Sequence, residues 1–552
     1  MARRIRWQIV IASLSTLLIA LLLGRLALSS ASVASPLAGG SYVEVVVGEP
    51  QIPLPLLNDP TGDPVGRDMI ALIYDGLMRI GADGLLEPAL ALDYEVDPSG
   101  TSYLFHLRRN VFWHDGQRFS ADDVVFTLRT LQVLDQPGEP ALAAFWQDLL
   151  VDRIDDYTVR VTLNDPLAAF PSLARIPILP AHLLIGQAPA TWATSAYATR
   201  LIGTGPYALE ELRGDGASFE ANPAYFGGRP YIQRIELRFA PTREAALAAL
   251  SRGEVTAFGE RGRHDRSIPG PLAGFRTRTV PLDEYAILTF NLRDDLLDQV
   301  PLRRALAHGL DKAALIEAAL NGLAAPLDTP ILPGSWAFNP EIPWHEPDPV
   351  RAEALLEELG YQREGEELRG HNGQPLAFEL LVDGEPRRRA AAGEIARQWE
   401  TLGIGITIVE VESSELLNRL RSGDFRMAIH SWARLGPDPD PFPLWHSASS
   451  LNYAGLQDDQ IDLLLQSAHR ESELAARSAD YTAFQERWIE LTPSITLYQP
   501  IYRFIADEEL GGTGLDDPQS ALTTLLFGPE DRFRTVTRWF TTSYREIQGE
   551  IR

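Results

Sequence analysis

Apolar and polar positions along this chain switch between two periods, and the switches mark its elements. The pattern is sharpest at 376–431. An apolar run at 376–382 predicts a strand; Pro386 opens a helix on which Ile395, Trp399 and Leu402 share a face, and Gly403 stops it. Residues 404–411 read as a second strand. Ser413 or Ser414 caps a helix with Leu416, Leu417 and Leu420 inward, Gly423 ends it, and 425–430 forms a third strand. This alternation implies parallel pairing through right-handed crossovers.

The same rules reach other parts of the chain. Tyr103, Phe105 and Leu107 alternate onto one strand face, a second apolar run at 111–113 reads as another strand ending at the turn Asp115-Gly116, and Ser120 with Asp123 starts a helix reaching Leu131. A strand is expected at 42–47, a Pro- and Gly-rich loop at 49–66, and a helix at 68–78. Pro301 opens a helix reaching Leu310, Asp311 caps the next, which ends at Asn321-Gly322, and Asp348-Pro349 opens one closed by Gly360. A strand returns at 494–502. The fold class is α/β, with a mixed region earlier in the chain and no solenoid-like repeat.

With 552 residues the chain exceeds what one core organises, so two or three lobes are expected. Lys and Arg number 49 against 75 Asp and Glu, and the resulting charge of -26 is spread along the chain. Such a surface repels phosphate backbones, so no nucleic-acid partner is expected. Arg3, Arg4 and Arg6 precede an apolar run at 9–24, then Arg25 and a small-residue stretch at 29–35. That is the order of an export signal, with Ala34 as a cleavage point and Ser32 at the −3 position. Extended to Leu28 by a snorkelling Arg25, the same run reads as a retained anchor, since a span needs about 20 residues. Both readings of 1–35 place the chain outside the cytoplasm.

There is no cysteine, so disulfides, thiol nucleophiles and Cys-ligated metals are excluded. The ten His show no close ligand spacing, and no nucleotide-binding or nucleophile-elbow motif occurs. Neither a metal nor another cofactor is expected, and His114-Asp115 reads as a turn, because no placed nucleophile accompanies it.

The block at 103–126 resembles the "fhLR.gv.fhDG..f.AeDVvfsl" signature of family 5 extracellular solute-binding proteins. Further resemblances follow in order: Ile73-Tyr74-Asp75-Gly76-Leu77 to "lyegL", 86–91 to "l.P.LA", Gly203-Thr204-Gly205-Pro206-Tyr207 to "GTGPY", and 222–226 to "N..Yw.g.p". Residues 249–255 resemble "l.sGevD" with Thr256 in place of Asp, 301–312 resemble "rvRqAl..AiDr", and 422–439 resemble "sGdyD......W..dypDP".

The resemblance implies a two-lobed, periplasmic-binding-protein-like clam of the large type II class with an inserted α+β subdomain. The first lobe would comprise 41–75, 202–280 and 495–552, the insertion 76–201, and the second lobe 281–494. It further implies a monomeric, non-enzymatic subunit of an ABC importer that captures a peptide-like or other small polar solute and delivers it to a membrane permease. The family's lipid-modified N-terminal Cys is missing here. An anchored helix or free diffusion in a periplasm must replace that tether.

Trp432 follows a predicted strand, where α/β sheets bind ligands, and the family's matching Trp lines the cleft; packing on the core is the alternative. Three residues on, peptide-binding members place an Asp that pairs with the peptide amine, and this chain has Leu435. Asp438 is either a substitute for that charge or part of a rigid Asp-Pro-Asp-Pro turn. Arg434 is a candidate for a carboxylate or phosphate, and Tyr498 for a cleft aromatic. Two rival readings are an exported hydrolase built on paired carboxylates and an anchored sensor or scaffold using the same fold.

Overall fold

The computed structural model describes residues 32–51, 53–58, 63–134, 145–261, 272–342, 345–433, 435–514 and 525–547. The apolar run at 9–24 and the candidate Arg434 lie outside the described residues. Among those described, no helix is long and apolar enough to cross a membrane.

A twelve-stranded mixed sheet runs through the molecule. Its strands are β1 (Ser41–Val47), β2 (Tyr207–Arg213), β3 (Gly216–Ala221), β4 (Arg234–Ala240), β5 (Ala257–Arg261), β6 (Phe275–Pro281), β7 (Glu284–Phe290), β8 (Ala324–Pro326), β9 (Ala377–Asp383), β10 (Gly405–Val411), β11 (Met427–Ala433) and β12 (Ser494–Asp507). The main path is β10-β9-β11-β7-β12-β5-β1-β4-β3-β2, with β6 and β8 also paired to β12. β9 runs parallel to both β10 and β11, as the alternating pattern at 376–431 requires.

β12 belongs to both lobes. Its start pairs with β7 from Ser494 to Tyr498, and its end pairs with β5 and β6 from Ile501 to Asp507. Between these stretches lies Pro500, which has no N–H to give to a ladder. Its carbonyl instead accepts from Leu282 N at 2.9 Å, while Gln499 Nε2 donates to Leu282 O at 3.0 Å. The two lobes are thus joined where 281–283 and 499–501 cross.

Each lobe has its own apolar core. Tyr42, Met69, Leu72, Tyr207, Leu237, Phe504 and Trp539 pack in the first, and Leu288, Phe378, Leu380, Ile395, Trp399 and Ile404 in the second. A third core, with Tyr103, Phe105, Trp113, Phe119, Val124 and Phe170, covers a four-stranded antiparallel sheet ordered Ala91–Val96, Ser102–Leu107, Thr158–Thr162, Leu150–Asp155. Leu179, Trp192, Tyr197 and Leu201, from the far end of the expected insertion, pack in the first core.

Local chemistry sets most boundaries. Ser120 and Asp123 form a reciprocal capping box, and the helix runs Ala121–Val133. The Asp123 carboxylate also accepts from Ala181 N at 2.9 Å, which fastens the helix to the following chain. Three expectations need correcting. Neither Ser413 nor Ser414 caps its helix: Glu412 is at the N-cap with no side-chain bond, and Ser413 Oγ donates to Asp383 instead. The helix expected at 68–78 is Pro64–Ile73: Pro64 supplies a preset first turn and Asp63 accepts from Gly66 N at 2.8 Å, so the start lies inside the stretch read as loop. The run at 111–113 is no strand but a tight hairpin with one bridge, Phe112 to Arg118, closed by the Gly116 turn.

That hairpin explains His114. Gly203 N donates to His114 Nδ1 at 3.3 Å, which leaves Nε2 protonated to donate to Gly205 O at 3.0 Å. The ring is a neutral clasp on the Gly203-Thr204-Gly205 turn, and burial lowers its pKa. The turn in turn lies directly on the first helix: a Cβ on Gly203 would stand 1.9 Å from Ile73 O. Only glycine permits that approach. Beside it Asp75 accepts from Thr204 Oγ1 at 3.0 Å and Tyr225 Oη at 2.9 Å, and burial pushes its carboxyl up to about 6.

The C-terminal segment is locked into the first lobe by charge. Arg532 holds Asp68 with two bonds of 2.6 Å and Glu44 at 3.1 Å, and all three side chains are buried. Burial raises the pKa of both carboxyls, which Arg532 opposes.

Candidate functional site

The crossovers bring the C-terminal ends of β9, β10 and β11 to one edge of the sheet, beside the start of β7. Asp383 ends β9 and accepts from Arg388 Nε at 2.8 Å and Nη2 at 2.6 Å, and from Ser413 Oγ at 2.9 Å. Arg388, in the first turn of the helix Pro386–Thr401, also donates to Ser431 Oγ at 3.1 Å. The guanidinium thereby ties the ends of β9 and β11 together, and Asp383 brings in the segment after β10 through Ser413. His430, buried beside them, bonds to Thr289 Oγ1 at 2.9 Å; burial, then the nearby Arg388 cation, lowers its pKa to about 3.

Trp432 lies in register with Tyr285, and Ala433 with Glu284. The Trp432 ring is half-buried and stacks on Tyr453, with centroids 5.3 Å apart and planes 19° from parallel. Leu435 is half-buried beside it, against a cluster that includes Tyr285, Trp445 and Phe484. Gly436 N then donates to Asp283 Oδ2 at 2.7 Å, so the loop after Trp432 is pinned to the crossing between the lobes.

Asp438 is the partner of a buried cation. Arg477 Nη1 and Nη2 reach its two oxygens at 2.6 Å each, Arg477 Nε donates to Ala468 O at 2.9 Å, and the guanidinium lies 5.1 Å over the Trp336 ring. Asp440 accepts from Phe442 N at 3.0 Å and bonds to His469, whose carbonyl accepts from Ala168 N of the inserted subdomain at 2.9 Å. Tyr498 is 2% exposed: its ring packs in the second core and burial pushes its hydroxyl up.

Of the sequence candidates, the structure brings Trp432, Leu435 and Asp438 into one loop region and puts Tyr498 beneath it. Sequence reasoning missed Glu284, Arg387, Arg388 and Tyr453. Glu284 meets Arg261 of the first lobe at 2.9 Å and Arg387 of the second at 3.8 Å. Arg387 and Arg388 were within reach, because they follow a predicted parallel strand directly. Glu284 depends on sheet register and Tyr453 on a ring stack between a turn and a strand end, and no local signal carries either. Among the described residues no three His, Asp or Glu side chains converge to hold a metal ion.

Comparisons with known proteins agree with this architecture. The oligopeptide-binding protein AppA of Bacillus subtilis is 26% identical over 495 residues, covering 87% of this chain and 90% of that protein. The heme-binding protein A of Haemophilus influenzae is 28% identical over 422 residues, covering 69% and 73%. Among solved structures, the ABC transporter substrate-binding protein CtaP of Listeria monocytogenes superposes with a TM-score of 0.74 at 23% identity over 92% of this chain and all of that one. AppA of Bacillus subtilis in complex with a nonapeptide gives 0.67 at 24%, with the same coverage. Residues 86–453 match the family described as Bacterial extracellular solute-binding proteins, family 5 Middle. This chain is a member of that family of extracytoplasmic binding proteins.

Proposed function

We propose that the chain is the solute-binding subunit of an ABC importer, that it captures a peptide-like or other small polar solute between its lobes without chemical turnover, and that it hands the solute to a membrane permease. The observation that carries this reading is the aromatic and polar loop region 432–440, set at strand ends and pinned through Asp283 to the crossing between the lobes. Trp432 and Leu435 line the cleft in this reading, with Arg434 between them in sequence. Asp438 supports the loop through Arg477.

Motion follows from the connections. The lobes pivot at 281–283 and 499–501, and solute bound between them favours the closed arrangement by its differential affinity. The lobes are taken as 41–75, 202–280 and 495–552 for the first and 281–494 for the second, with 76–201 inserted; across these bounds, β12 up to Tyr498 packs with the second core, and Leu179, Trp192, Tyr197 and Leu201 pack with the first. The chain acts as a monomer outside the cytoplasm, tethered or released according to the fate of residues 1–35. Relatives of similar identity are named for oligopeptides and for heme, so family membership alone leaves the solute open. None of the relatives named here is a hydrolase.

The test is a thermal-shift screen of the full-length chain against a defined solute library. A solute that binds only the native state adds about 2.7 kcal/mol of stability at a concentration of 100 Kd and so raises the melting temperature. A library with no stabilising member, together with turnover of any substrate, refutes the proposal.

A further inference from the structure

The carboxylates around the loop at 432–440 are all engaged by protein donors. Asp438 gives both oxygens to Arg477, and that guanidinium is itself held by Ala468 O and Tyr481 Oη. Asp440 is bonded through one oxygen to Phe442 N and through the other to His469. Asp283 accepts from Gly436 N, Glu284 lies between Arg261 and Arg387, and Asp383 is held by Arg388 and Ser413. Among the described residues, what the loop adds between these pairs is the stacked Trp432 ring and the half-buried Leu435 side chain.

A cationic group brought into this region would lose water and meet no unpaired carboxylate among the described residues. To gain one it would have to pull Asp438 from Arg477, leaving a buried guanidinium without its partner, which is the costly way to break an ion pair. An uncharged group loses little water and gains contact with the indole and the leucine. We infer that the part of the solute lodged against Trp432 and Leu435 carries no positive charge, so that the site selects solutes whose amine is blocked or absent over their free-amine counterparts. This rests on the proposed solute-binding role and adds a charge selectivity to it.

The experiment incubates the full-length chain with equimolar pools of random tetrapeptides, one with free amines and one N-acetylated, and identifies by mass spectrometry what remains bound after gel filtration. N-acetylated species should be retained at least about tenfold over their free counterparts, a difference of about 1.4 kcal/mol. Leu435→Asp should gain retention of free-amine peptides, whereas Leu435→Asn, polar but uncharged, should not. Preferential or equal retention of free-amine peptides by the unmodified chain overturns the inference while leaving the binding role standing. Retention of neither pool by the unmodified chain or by Leu435→Asp, with native circular dichroism in both, overturns the peptide-like reading and the inference with it.

Discussion

Arg532 grips both oxygens of Asp68 at 2.6 Å across 464 residues of sequence, and does so in a site sealed from water. With Glu44 also bonded to it, this one cation compensates two buried carboxylates. Arg532→Met should therefore destabilise the protein by about 3–5 kcal/mol at neutral pH in urea unfolding. The sign of its pH dependence is fixed. Without the cation both carboxyls bind protons more readily folded than unfolded, so the variant's deficit should shrink as pH falls from 8 to 5.

Gly203→Ala places a methyl group 1.9 Å from Ile73 O, a backbone atom that cannot rotate away. A loss of at least about 3 kcal/mol is expected in the same assay. Gly214→Ala, where no atom lies within 4 Å of the added Cβ, should be neutral or slightly stabilising.

Asp75 offers a second pH readout. Its folded pKa, raised to about 6 by burial, exceeds that of an unfolded aspartate, about 3.9. Its contribution is thus fully present below the unfolded value and is lost as pH rises through the folded one. Relative to Asp75→Asn, the unmodified protein should lose stability between pH 4 and pH 6 to 7 and then level off. Urea midpoints of the two proteins across that range check this.

Trp432→Ala should weaken binding of any stabilising solute about tenfold or more, because it removes the stacked ring from the loop. Isothermal titration provides the measure. Tyr498→Phe should leave affinity unchanged within about twofold, since that ring is 2% exposed in the second core.

Legibility in the sequence tracked distance along the chain. The region from Ala377 to Ala433 was readable because each boundary is set within a few residues: Pro386 starts a helix, Gly403 and Gly423 take left-handed stops, and the parallel pairing follows from the alternation. The helix at Pro64–Ile73 was misplaced because its opening Pro lies among loop-like residues. The partners that define the candidate site were out of reach. Asp438 and Arg477 are 39 residues apart with no periodic pattern between them, and Glu284 meets Ala433 only through sheet register. Family resemblance pointed to this loop as a candidate, but it could not say that Asp438 was already taken by Arg477.

β12 has a further consequence for how the protein comes into being. A chain emerging N-terminus first has made β1 through β6 long before β12, yet β5 and β6 find their shared neighbour only in Tyr502 to Asp507, and the first core is complete only with Trp539. Neither lobe can finish alone, because the strand that completes one begins inside the other. The first lobe therefore stays incomplete until nearly the whole chain has been synthesised, and the edges of β5 and β6 that await β12 are exposed to unwanted pairing for that time.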